Sequence, residues 1–107
     1  MNRLATLREV DLEVVSQIER DLSHKTDAEL KSIMVSGLAE EAGEVAGLFK
    51  RELRDFEKDR ARCTREHYVE ELGDVLWYLV GVAYTHGITL EEIWDYNVKK
   101  LEERYGG

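Results

Sequence analysis

Not one proline occurs in 107 residues, and the apolar side chains recur at spacings of three and four rather than two. Proline breaks helix interiors and period-two alternation marks strands, so this combination predicts an all-α chain. Four helices follow from the capping signals. The first runs from about Leu7 to Leu22, with Val10, Val14, Ile18 and Leu22 as its apolar stripe. Thr26 and Glu29 have the spacing of a capping box, and the second helix continues from there to Phe56 or Glu57, about 45 Å at 1.5 Å per residue. Lys58 to Cys63 lacks periodicity and reads as a loop. Thr64 then caps a third helix ending near His86, Gly87 suits a left-handed terminus, and Thr89 with Glu92 makes a capping box opening a fourth helix to about Tyr105.

Two stretches carry the chemistry. Leu38-Ala39-Glu40-Glu41-Ala42-Gly43-Glu44-Val45-Ala46-Gly47 sets Glu41 and Glu44 three apart on one face of the second helix, and Glu70-Glu71-Leu72-Gly73-Asp74-Val75-Leu76 does the same for Glu71 and Asp74 on the third. Elsewhere the chain spaces opposite charges four apart, as at Arg51 with Asp55, Arg62 with Glu66 and Asp95 with Lys99. The central acids have no Lys or Arg three or four residues away, and Glu71 has only His67. Like charges at this spacing are unfavourable, so either bases from another helix or a cation must offset them. An oxygen-only donor set, with no His pair and no nearby Cys, suits a hard ion such as Mg²⁺.

Composition narrows the partners. With 23 acidic and 15 basic side chains the net charge is -8, which disfavours a nucleic-acid polymer. A lone cysteine forms no internal disulfide, and no apolar run approaches the ~20 residues of a membrane span, so a soluble cytoplasmic chain of one domain, residues 1–107, is expected.

Glu40-Glu41-x-x-Glu44 followed by Glu71-x-x-Asp74 resembles the signature of the MazG-like all-α nucleoside triphosphate pyrophosphohydrolases. The surrounding Gly37 to Glu44, Glu71 to Tyr78 and Asn97-Val98-Lys99-Lys100-Leu101-Glu102-Glu103-Arg104-Tyr105 resemble it too, so the likeness covers about Thr26 to Tyr105. It implies a four-helix bundle completed by an intertwined homodimer or homotetramer. Glu41, Glu44, Glu71 and Asp74 would be ligands of Mg²⁺, with Mn²⁺ as the alternative. It also implies hydrolysis of a nucleoside triphosphate between the α- and β-phosphates, with Glu40 or Glu41 polarising the attacking water, and house-cleaning of noncanonical nucleotides as a role. Asn97 and Lys100 would contact nucleotide or phosphate, joined by Arg104, which the helix dipole explains nearly as well. Tyr78, one turn past Asp74, either packs in the core or stacks on a base.

Val75 to Tyr84 is apolar nearly all round, so Gly73, Trp77, Gly81 and Tyr84 are expected to form a second face across a dimer interface. Lys50 and Arg51, two turns past the acids, read as phosphate contacts or surface; His24 and Lys25 as a polar loop or anion contacts; His67 and His86 as ordinary helix residues. Cys63 lacks the setting of a nucleophile. The rival readings are a noncatalytic helical dimerisation or nucleotide-binding module and, among enzymes, a phosphoribosyl-ATP pyrophosphohydrolase or a hydrolase of one pyrimidine deoxynucleotide.

Overall fold

The computed structural model describes residues 3–54 and 64–106. These form four α-helices, α1 (Leu7–Leu22), α2 (Asp27–Arg54), α3 (Arg65–Thr85) and α4 (Leu90–Leu101), and no strand among the described residues. The expected end of the second helix at Phe56 or Glu57, the Lys58 to Cys63 loop with its cysteine, and the pairs involving Asp55 and Arg62 lie outside them.

Each helix begins where a threonine supplies the missing acceptor. Thr6 and Glu9 form a reciprocal capping box on α1. On α2, Glu29 N–H donates to Thr26 Oγ1 at 3.1 Å and Thr26 N–H donates to Glu29 Oε1 at 3.0 Å. Thr64 caps α3 through His67 N–H. Thr89 accepts from Glu92 N–H at 3.2 Å, but the Glu92 carboxylate makes no return bond, so the box expected there is a single cap. Gly87 turns the chain out of α3 at φ +67°, a conformation in which a Cβ would be strained. The fourth helix gives way at Glu102 to a π-helical turn reaching Gly106, short of the unbroken helix expected to Tyr105.

α2 and α3 form an antiparallel hairpin. Its register shows in Tyr68 O–H donating to Glu52 at 2.6 Å, Tyr78 lying over Gly37, and Met34 against Gly81. The α2 number falls as the α3 number rises. Gly37 and Gly81 are the points of closest approach: a Cβ on Gly37 would stand 2.1 Å from the Tyr78 ring, and one on Gly81 would stand 2.2 Å from Met34 Sδ.

The stripe of α1 lies across one side of this hairpin. Val14 and Ile18 join Met34, Val80 and Leu90 in the buried core, with Val10 and Leu22 packed beside them. Trp77 Nε1–H donates to Gln17 Oε1 of α1 at 2.8 Å, and Leu90 N–H at the start of α4 donates to Asp11 of α1 at 3.2 Å. This corrects part of the expected interface: Trp77, bonded to α1, and Tyr84 pack against the core within the chain and Gly81 is buried against Met34 of α2, while Gly73 is exposed. The side chains of α3 left uncovered are Val69, Leu72, Leu76 and Leu79, joined on α2 by Val35, Phe49 and Leu53. No helix among the described residues is long and apolar enough to cross a membrane.

Candidate metal centre

The hairpin register decides which acids meet. Glu41 on α2 faces Glu71 and Asp74 on α3, and one carboxylate oxygen from each lies within 4.8 Å of the others. On an octahedral Mg²⁺ with bonds of 2.0–2.1 Å, adjacent oxygens stand about 3 Å apart and opposite ones about 4 Å, so these three, within 4.8 Å of one another, would hold a hard cation by closing in on it. Glu41 and Glu71 are half-buried between the helices and Asp74 is exposed. Glu44 and Glu40 are exposed on α2 and lie outside this trio.

No base among the described residues neutralises the cluster. The ion pairs among the described residues, Arg3 with Glu9 and Arg20 with Asp21, are at the far end of the chain or on α1, and none reaches Glu41, Glu44, Glu71 or Asp74. Of the two ways to offset the repulsion, a lysine or arginine from another described helix is therefore absent. The cost shows on Glu41, whose carboxyl is pushed above its ordinary range by desolvation first and then by Asp74, Glu71, Glu40 and Glu44. The Asp95 to Lys99 pair expected on α4 is not formed either.

Tyr78 sits half-buried over Gly37, edge-to-face with Trp77 at 5.1 Å between ring centroids. Its place one turn from the trio follows from the absence of a side chain at Gly37. Asn97 and Lys100 line a cleft of about 390 Å³ with Glu92, Ile93, Trp94 and Tyr96, to which none of Glu40, Glu41, Glu44, Glu71 and Asp74 contributes. α4 packs on α1, so within one chain this cleft and the acidic trio stand apart. Arg104 falls in the π-helical turn, exposed and away from the cleft, which breaks the four-residue alignment expected with Lys100. Sequence reading passed over Gln17, which ties α1 to the residue after Val75-Leu76, and no local pattern signals a bond across sixty positions. It also passed over Thr6 with Glu9, whose capping-box spacing was as plain as that at Thr26.

The helical hairpin thus gathers carboxylates from two i, i+3 pairs on facing helices. Residues 29–106 match the family described as the MazG nucleotide pyrophosphohydrolase domain, and the chain belongs to that family. It is also 36% identical over 73 residues to the gene 37 protein of Mycobacterium phage L5, a match covering 68% of this chain and 64% of that protein. The chain thus matches under two thirds of that relative's own length. No solved structure matches.

Proposed function

We propose that the protein is a Mg²⁺-dependent nucleoside triphosphate pyrophosphohydrolase, releasing a nucleoside monophosphate and pyrophosphate. The observation that carries this reading is the convergence of Glu41, Glu71 and Asp74 with no base among the described residues to neutralise them. Mg²⁺, or Mn²⁺ on the same oxygen donors, supplies neutralisation of phosphate oxygens and a bound water of lowered pKa. Glu41, Glu71 and Asp74 hold the ion, and Glu44, one turn along α2, completes the set when its side chain swings in. Water attacks the α-phosphorus, the bond to the bridging oxygen breaks, and pyrophosphate leaves. The water proton passes to a carboxylate. Glu41, whose carboxyl is raised towards neutrality, and exposed Glu40 beside it are the two candidates for that base.

Asn97 and Lys100 bind the nucleotide, with Arg104 and Tyr78 as further contacts, and a second copy of the chain brings an α4 cleft to each acidic trio. Two quantities support self-association. The chain exposes 8321 Å², where a compact monomer of its mass exposes about 6100 Å². Its radius of gyration is 16.7 Å against about 13 Å for a compact chain of this length. The surface excess is on the scale of what each subunit of an obligate dimer buries.

Separate Glu44→Gln and Asp74→Asn variants test the assignment against a noncatalytic module of the same fold. Activity should fall by about 10²-fold or more in each while circular dichroism stays helical. Full turnover in both variants would remove these residues from the site.

A further inference from the structure

We infer that Arg51 is a phosphate-binding residue of this site, engaging the pyrophosphate portion of the substrate from α2. The inference rests on the pyrophosphohydrolase reading above. Arg51 lies seven residues after Glu44, about 20° short of two full turns, so the two share a helix face. Its side chain leans back towards the acids, as helical side chains do, and its guanidinium lies over Gly47: Nη1 would stand 3.4 Å from a Cβ there. That places the charge only one turn past Glu44. Yet Arg51 forms no ion pair with Glu44 or any other acid among the described residues, and its Nε–H is shut off from solvent with no acceptor. Lys50 beside it is exposed on another face and has no such constraint.

A guanidinium with a solvent-excluded, unmatched donor calls for an anion, because buried donors are nearly always paired. The acids gathered at Glu41 already repel one another, and further along the same helix, over Gly47, is a cation that none of them takes up. A triphosphate held at a metal on the carboxylates presents oxygens on which a planar fork of N–H donors fits in a two-point contact. Both groups are then answered by one ligand. Carboxylates take the metal-bound end, and Arg51 takes the oxygens that leave as pyrophosphate.

Binding of inorganic pyrophosphate by calorimetry, in Mn²⁺ at saturating concentration, tests this without turnover. Arg51→Gln should bind pyrophosphate about 10- to 100-fold more weakly than the wild type, the scale of a charge-assisted hydrogen bond. Mn²⁺ affinity and the thermal midpoint should be unchanged, and Arg51→Lys should recover part of the loss because it keeps the charge without the fork. Equal pyrophosphate affinity in wild type and Arg51→Gln overturns the role of Arg51. A wild-type chain that binds Mn²⁺ but not pyrophosphate also overturns it while leaving the metal site intact. If neither binds, the pyrophosphohydrolase reading falls with it.

Discussion

Three carboxylates held together with no base beside them among the described residues make Asp74 a residue that works against the metal-free fold. A carboxyl raised in the folded state contributes stability that is present below its unfolded value, near 4.5 for Glu41, and is lost as pH rises through the folded value. At neutral pH the cluster is therefore a liability until a cation arrives. Asp74→Asn should raise the thermal midpoint of the metal-free protein at pH 7, with the gain shrinking below pH 4.5, and should abolish the stabilisation that Mg²⁺ gives the wild type. At a Mg²⁺ concentration a hundred times its Kd, that stabilisation is about 2.7 kcal/mol. Thermal melts with and without Mg²⁺ read both effects, and an unchanged response to Mg²⁺ would remove Asp74 from the site.

Glu9 has the opposite sign. Arg3 first, and then the Thr6 backbone and hydroxyl, lower its carboxyl to about 2. Its contribution is present above the unfolded value of about 4.3 and is lost as pH falls through 2. Glu9→Gln should thus be less stable than wild type at pH 6, with the gap closing towards pH 2. Melting both proteins across that range decides it.

The α2–α3 contact makes a further demand at the level of the helix pair. Gly81→Ala must displace Met34, which is fully buried, and should cost about 1–3 kcal/mol in urea denaturation. A neutral result would mean that the helices are farther apart than described. At this scale most of the structure could be read in advance. The bounds of α1, its buried stripe, the caps at Thr26 and Thr64 and the left-handed Gly87 are local, set by neighbours within a turn or two. What failed was not local. Periodicity marks an apolar face without saying which helix covers it, so Trp77, Gly81 and Tyr84 were assigned to a partner when Gln17 of α1 bonds Trp77, Met34 of α2 covers Gly81 and Tyr84 packs against the core. The acid pairs were legible as two pairs. That Glu41 meets Glu71 and Asp74 while Glu44 stands off depends on the hairpin register, which is fixed by two glycines whose meaning appears only across the contact.

For the whole molecule, the uncovered faces of α2 and α3 point to assembly. Val69, Leu72 and Leu76 are 55%, 52% and 41% exposed and, at i, i+3 and i+7, share one face of α3. Leu76→Glu should yield a monomer in light scattering, with activity lost because the α4 cleft of a second copy no longer reaches the acids. An active monomeric variant would place both halves of the site in one chain. The central claim is the reaction. Wild-type protein should be incubated with canonical and modified nucleoside triphosphates, in Mg²⁺ and in EDTA, with pyrophosphate measured separately from phosphate. A metal-dependent pyrophosphohydrolase gives pyrophosphate and the nucleoside monophosphate in equal amounts from at least one substrate, and none in EDTA. Release of single phosphate, or turnover that survives EDTA, would contradict it.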